Sequence, residues 1–221
     1  MKTRNALAAL ALGAALLGNG PAAQPTPPAP ELVALLDSVQ KHYNGVRDLR
    51  ASFEQESLVK ALGKRDVSRG DVAFKRPGRM RWNYAEPEVR VLTVDPQAVR
   101  MFSATERQLQ IAPIGQGSLS PTALDFLLGE ADLRESFEAT RIEDAARKDV
   151  GLKLSPRGDT SFESLELWLD PASLKLRESV LVDLFGNRTV LRFAELVENG
   201  GVEDGAFEIQ VPKDTEVIDL R

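Results

Sequence analysis

The chain has 221 residues, 43% of them hydrophobic, and 33 acidic against 28 basic side chains give a net charge of −5. With about 100–200 residues per domain, that length suits one hydrophobic core, or two at most. The absence of cysteine excludes disulfide frameworks, thiolate metal sites, cysteine nucleophiles and a lipidated N-terminal cysteine. A single histidine, His42, offers no imidazole cage for a metal, and net acidity is a poor match for nucleic acid.

The start of the chain reads as an export signal. Lys2 and Arg4 precede an apolar stretch over 6–17, and small residues continue to Ala23. That stretch is too short to cross a bilayer, but the order of charged, apolar and small segments is that of a cleavable secretory peptide. Residues 1–23 are therefore expected to be a signal peptide, cleaved near Ala22 or Ala23, leaving the chain free outside the cytoplasm. Its removal deletes two positive charges and no negative ones, so −5 becomes −7. Residues 24–30 hold prolines at 25, 27, 28 and 30 and read as a disordered, proline-rich lead-in.

From Glu31 the residues Leu32, Leu36, Val39 and Tyr43 recur every three or four positions, with Leu35 beside them, which predicts an amphipathic helix. Pro30 suits its first turn, and Asn44-Gly45 supplies a left-handed stop. His42 lies near that end and reads as a solvated surface histidine. Beyond Gly45 the period becomes two. Leu49, Ala51 and Phe53 alternate with polar residues, and a polar turn is expected around 63–66. Over 70–76, Val72 and Phe74 oppose Asp71, Ala73 and Lys75. Pro77-Gly78 is a turn signal, and after it Met80, Trp82 and Tyr84 alternate with Arg79, Arg81 and Asn83. Further strands are predicted at 89–94, 99–102, 108–111, 136–142, 150–155, 162–169, 174–184, 189–197 and 207–211. Their short separators imply antiparallel hairpins, because parallel pairs need long crossovers. One helix interrupts the sheet: Ser120 is an N-cap candidate, Pro121 fits the first turn, and Gly129 ends it. Its residues Ala123, Leu124, Phe126, Leu127 and Leu128 are apolar around most of the circumference, so it must be covered or must cover something apolar. The expected architecture is one long, strongly curved antiparallel sheet with two helices on its concave side.

Catalytic equipment is missing. There is no GxSxG elbow, no GxxxxGK[ST] loop and no GxGxxG fingerprint, and a serine–histidine dyad would have to use His42. Glu54 and Glu56 form a carboxylate pair of the kind glycosidases use, but alternation puts both opposite Phe53, on a solvated outer face. The basic run Lys75, Arg76, Arg79 and Arg81 is split by parity. Lys75, Arg79 and Arg81 are expected to face solvent, whereas Arg76 shares its parity with Val72 and Phe74 and points toward the apolar side. There it either snorkels to water past Pro77 or clasps an acceptor at the rim of a cavity, for which the unpaired carbonyls of a helix C-terminus are suited.

Several stretches then fit together: Asp48-Leu49-Arg50-Ala51-Ser52-Phe53-Glu54-Gln55, the segment 70–74, and Lys75-Arg76-Pro77-Gly78-Arg79-Met80-Arg81-Trp82-Asn83-Tyr84. With them go the lid-like helix over 120–129, the turn at 183–187 with its following strand, and the ending Ala206-Phe207-Glu208-Ile209-Gln210-Val211-Pro212. In this order they span nearly all of the chain after residue 23, and they resemble the periplasmic outer-membrane lipoprotein carrier family, the LolA-like proteins. The resemblance implies an α+β fold: a single strongly curved antiparallel sheet, or unclosed β-barrel, with a helical lid over an apolar cavity, formed by one domain over 31–221. It implies a periplasmic chaperone without catalysis, metal or cofactor. Such a chaperone binds the acyl chains of lipoproteins released by an inner-membrane LolCDE-type ABC transporter and carries them to the outer membrane, often to a LolB-type receptor. Carried over by position, Arg76 would be the lid clasp. Phe53, Val72, Phe74, Met80, Trp82, Tyr84, Leu124, Leu127 and Leu128 would line the acyl-chain cavity, although the same apolar face would equally serve as a filled core. A monomer without a stable membrane anchor is expected. The sequence departs from the family at Asp95-Pro96-Gln97, where a glycine-containing turn is usual, and in lacking Trp and Tyr over 99–111. The pattern is also similar to the lipid-sensing domains of envelope-stress regulators, so the second reading is a lipid- or lipoprotein-sensing regulatory binding protein.

Overall fold

The computed structural model describes residues 29–114 and 132–221. The expected signal peptide, most of the proline-rich lead-in, and the helix over 120–129 with Leu124, Leu127 and Leu128 lie outside the described residues. Helix α1 (Pro30–Asn44) opens the fold, and strands β1 (Asp48–Val59), β2 (Lys64–Lys75), β3 (Arg79–Glu86), β4 (Arg90–Val94), β5 (Ala98–Ser103) and β6 (Gln108–Pro113) follow. A one-turn helix α2 (Leu133–Ser136) then leads into β7 (Phe137–Ile142), β8 (Val150–Pro156), β9 (Phe162–Leu169), β10 (Leu176–Asp183) and β11 (Arg188–Glu198), and β12 (Glu216–Asp219) closes the chain. All twelve belong to one sheet in the order β12-β6-β5-β4-β3-β2-β1-β11-β10-β9-β8-β7. Its edges β12 and β7 are not paired with each other, so the barrel is unclosed.

Two opposite faces explain this register. Leu49, Ala51 and Phe53 of β1, Val72 and Phe74 of β2, and Met80 and Trp82 of β3 share one inner apolar cluster with Leu152, Leu154, Leu165 and Leu167. Leu36, Val39 and Tyr43 of α1 pack into the same cluster, which is what the three- and four-residue spacing in α1 is for. On the outer face a row of opposite charges runs straight across five strands. Glu178 lies opposite Arg192, Arg192 opposite Glu54, Glu54 opposite Arg69, and Arg69 opposite Glu86. The ion pairs follow, at 3.0 Å for Arg192–Glu178, 3.5 Å for Arg192–Glu54, 2.8 Å for Arg69–Glu54 and 3.1 Å for Arg69–Glu86. The exposed pairs contribute little singly, Glu178 alone being buried, but a one-residue slip would turn the charged row inward and expose the apolar set.

Four sequence expectations are corrected. Gly45 does not end α1 in a left-handed conformation; its φ is −83°. The last turn instead closes through Gly45 N–H on His42 O and Val46 N–H on Tyr43 O, while a guanidinium supplies a further donor (below). Strands β1 and β2 extend well beyond the apolar alternation, so their hairpin turns at Lys60–Gly63, with Gly63 at φ +60°, not at 63–66. Residues 207–211 are not a strand, and the final pairing, β12 on β6, is parallel. A long crossing segment makes that parallel pair possible. After β11 the chain turns at Asn199 and Gly201, both with positive φ, and runs over the outer face to the far edge as a strap spanning 199–215. The β4–β5 turn needs no glycine, because the Asp95 carboxylate accepts from the backbone N–H of Gln97 (2.8 Å) and Ala98 (3.0 Å) and from Arg100.

Gly70 is required by close approach. It sits opposite both Phe53 and Tyr84, at a register shift in the β2–β3 ladder, and a Cβ there would lie 1.8 Å from the Asn83 carbonyl oxygen. Because the obstacle is backbone, no side chain can give way. Gly70→Val is expected to cost about 2 kcal/mol or more in equilibrium denaturation. A loss under about 0.5 kcal/mol would show that the β2–β3 approach is looser than described.

Candidate functional site

The inner face of β1–β3 is organised around Phe53. Its ring meets Trp82 edge-on at 4.8 Å and Tyr84 edge-on at 5.2 Å, while Trp82 and Tyr84 stack at 6.3 Å. Phe53, Val72, Phe74, Met80 and Trp82 are buried. Tyr84, half-buried, donates its hydroxyl to Gln55 Oε1 at 3.1 Å and carries the Arg90 guanidinium 5.0 Å over its ring. Burial pushes the Tyr84 phenol above its ordinary value, and the Arg90 charge works against that rise.

Followed sideways, this face opens. Trp82 stands opposite Leu92, Leu92 opposite Met101, and Met101 opposite Gln110. In the next row Met80, Val94, Val99 and Ala112 are successive partners. Burial falls along the way: Trp82 is buried, Leu92 half-buried, and Met101 is 41% exposed. Met101 is an inner-wall residue that sequence reading missed; its position directly across from Leu92 was the available signal. The wall over β5 and β6 is therefore shallower and more polar than the aromatic side, in line with its lack of Trp and Tyr.

Arg76 follows the end of β2, and its guanidinium Nη2 donates to the Tyr43 carbonyl oxygen at 2.8 Å, at the C-terminal end of α1. There a cation adds a second donor to a carbonyl that already accepts from Val46 N–H, at the negative end of the helix. Tyr43 itself is fully buried. Its hydroxyl donates to Leu174 O (3.1 Å) and accepts from Leu176 N–H (2.8 Å) beside β10. Burial, with help from the Glu198 charge, pushes the Tyr43 phenol well above its ordinary value. Two more contacts hold α1: Gln40 Oε1 accepts from Leu133 N–H at 2.9 Å, and Asp37 pairs with Arg134 at 3.1 Å. His42 is not a freely solvated histidine. It is half-buried, 3.1 Å from Glu198 at the end of β11, with its ring edge-on to Tyr43.

On the outer face, Lys75, Arg79 and Arg81 do not simply face solvent; they hold the strap. Lys75 Nζ donates to Val202 O (2.7 Å) and Asp204 Oδ1 (2.5 Å), Arg79 pairs with Asp204 at 3.1 Å, and Arg81 Nη1 donates to Glu208 O at 2.6 Å. Asp204–Phe207 form a turn of 3-10 helix, and past it the Glu208 carbonyl is taken by Arg81, so the segment 207–211 joins no ladder and its alternation misleads. Between strap and sheet lies a groove of about 890 Å³, lined by polar residues such as Arg50, Ser52, Asp71, Arg81 and Asn83. Glu54 and Glu56 belong to the outer ionic row and its neighbours, opposite Phe53. Among the described residues there is no group of three or more side chains suited to a metal, and no helix long and apolar enough to cross a membrane.

An open antiparallel half-barrel, strapped on its outer face and apolar on its inner one, is the class of protein these features define. Residues 44–210 match the family model described as "Outer membrane lipoprotein carrier protein LolA", and the chain belongs to that family. Among its relatives, the outer-membrane lipoprotein carrier protein of Cupriavidus taiwanensis is 30% identical over 204 residues, covering 86% of this chain and 90% of the relative. That of Cupriavidus pinatubonensis is 29% identical over 198 residues, covering 85% and 88%. In structure the chain is similar to an uncharacterized conserved protein from Thermus thermophilus, with a TM-score of 0.54 over 86% of this chain and 99% of the other, at 15% identity. That likeness supports the fold alone.

The strap contacts predict a pH dependence. The Lys75 hydrogen bond, reinforced by the Arg79 and Lys75 charges, holds the Asp204 carboxyl below its ordinary value. A carboxyl whose folded pKa is lowered stabilises the folded form above its unfolded value of about 4, and that contribution is lost as pH falls through the lowered value. Hydrogen exchange over 201–208, corrected for intrinsic rates, is expected to speed up relative to β1–β3 as pH drops below about 4. Asp204→Asn should show the faster exchange already at neutral pH. An identical profile in the variant would rule out Asp204 as the strap's anchor.

Proposed function

We propose that this chain carries lipoproteins across the periplasm to the outer membrane, holding their acyl chains against the inner face that runs from Phe53 to Met101. Family membership supports the cargo. The observation that carries the placement is the continuous apolar face, sealed at Trp82 and open at Met101. Burying one CH₂ is worth about 0.8 kcal/mol, so a chain of about fourteen carbons involves on the order of 10 kcal/mol, prohibitive to expose during an aqueous crossing. In this reading Phe53, Val72, Phe74, Met80, Trp82 and Tyr84 form the apolar floor, and the role of cover is assigned to Leu124, Leu127 and Leu128, which lie outside the described residues. Met80 and Met101 suit a variable guest because the thioether side chain is flexible and polarizable. Cargo arrives from a LolCDE-type transporter and passes to the outer membrane, through a LolB-type receptor where one is present. No catalytic step, metal or cofactor is involved. Residues 1–23 direct export, and 31–221 form the carrier domain.

In this reading Arg76 works at the rim. It holds the C-terminal end of α1 through the Tyr43 carbonyl, and the clasp on the cover is assigned to the same guanidinium. Arg76→Leu is expected to leave the fold intact, to lower stability by about 1–2 kcal/mol through the lost charged hydrogen bond to Tyr43 O, and to change cargo release. Wild-type rates in a lipoprotein transfer assay to outer membranes would remove the clasp role. The floor is tested at its exposed end, where substitution should not disturb folding. Met101→Lys is expected to stay within about 0.5 kcal/mol of wild-type stability yet to bind an acylated lipoprotein or a fluorescent hydrophobic probe several-fold more weakly. Unchanged uptake would place the guest elsewhere.

A further inference from the structure

Two hairpin tips meet at the end of the sheet opposite Arg76. The β1–β2 turn (60–63) and the β10–β11 turn (184–187) are adjacent because β1 pairs with β11. Lys60 N–H donates to Asn187 Oδ1 at 3.0 Å, and a Cβ on Gly186 would lie 3.0 Å from the Lys60 side chain. These tips present large apolar side chains to water: Leu62 is 75% exposed, Leu184 63% and Phe185 85%. The presentation is rigid. Asp183 accepts from Phe185 N–H (2.8 Å), Asn187 N–H (2.9 Å) and Asn187 Nδ2 (2.7 Å), and Gly186 takes φ +77°. Around the apolar knobs stand Lys60, Lys64, Arg65 and Arg188, all exposed, against Asp66 and Asp183 within the same two segments. Lys64 pairs with Asp66 and Arg65 with Glu56, whereas Lys60 and Arg188 have no ion pair among the described residues. In a chain of net charge −5 this end is locally basic.

We propose that the paired tips are a reversible contact for the surface of an anionic phospholipid membrane. Protruding knobs offer no groove to a folded partner, but a bilayer interface accepts Phe and Leu without shape complementarity. Flanking lysines and arginines lay their stems along the apolar boundary and their charges among anionic headgroups. The contact is weak by construction, since three side chains and a few cations amount to less than one acyl anchor. It serves docking, not residence. The inner face is not involved, so this inference and the carrier reading can fail separately.

The experiment is flotation of protein purified from the cell envelope with vesicles of phosphatidylethanolamine and phosphatidylglycerol, and in parallel with phosphatidylcholine alone. Wild type is expected to float with the anionic vesicles and to be released at about 0.5 M salt, where screening is short-ranged. Leu184→Ser with Phe185→Ser should lower the bound fraction at least fivefold while leaving circular dichroism and hydrophobic-probe uptake unchanged. Lys60→Glu with Arg188→Glu should lower binding to the anionic vesicles only. Equal flotation of wild type and the Leu184/Phe185 variant overturns the proposal. So does failure of wild type to bind anionic vesicles, including the case in which the tips are captured only by a protein.

Discussion

An unclosed sheet has no ladder joining its two edges, so its curvature needs support from outside the sheet, and in this chain the C-terminal turn of α1 supplies it. Tyr43 binds in two directions: its carbonyl accepts the guanidinium that follows β2, and its hydroxyl bridges Leu174 O and Leu176 N–H beside β10. One buried residue therefore spans strands on both sides of β1 and β11. The cost of burying a phenol is offset because the hydroxyl both donates and accepts. The geometry of the inner face, and with it the aromatic cluster at Phe53, follows from where this helix end is fixed.

The outer face is held by different means. Lys75, Arg79 and Arg81 tie the strap to β2 and β3, and the strap carries the chain to β6 for its one parallel pairing. Polar, directional contacts on the outside and non-directional apolar contacts on the inside divide the work. Hydrogen bonds to backbone carbonyls fix position within tenths of an ångström, whereas an apolar surface tolerates rearrangement of whatever packs on it. Such a shell keeps its shape while its inner contacts are exchanged, which is what the proposed carrier requires.

The legible parts of the sequence were those with one wet and one dry face. Leu49, Ala51, Phe53, Val72, Phe74, Met80 and Trp82 alternate cleanly, and all are buried on the same side. Toward the tips every residue of β1 past Phe53 is half-buried and β2 starts exposed, so the residues from Glu54 to Arg69 show no clean alternation and the strands extend beyond their pattern. The strap failed in the opposite way. Phe207 ends a 3-10 turn, and it, Ile209 and Val211 are half-buried while Glu208 and Gln210 are exposed, so the period of two reports one covered side without any strand pairing. His42 and Tyr43 were read from helix periodicity alone. Their partners, Glu198 and the Leu174–Leu176 segment, lie more than 130 positions away, and no local pattern announces them.

The polarity gradient along the inner face bears on release. A carrier whose wall were aromatic throughout would hold its guest with most of the free energy of burial, and handing the guest on would be correspondingly slow, because affinity differences appear chiefly in dissociation. Here the wall changes from Phe53, Trp82 and Tyr84 to Met101, Gln108 and Gln110 within a few strands. An acyl chain lying toward β5 and β6 would bury less of its surface and face amide groups that prefer water, so that side is the cheaper one from which to withdraw it. Methionine and glutamine over this stretch, with no Trp or Tyr beside them, lower the hold without opening the sealed side. In the proposed carrier, the residues that make this wall look incomplete are those that favour delivery.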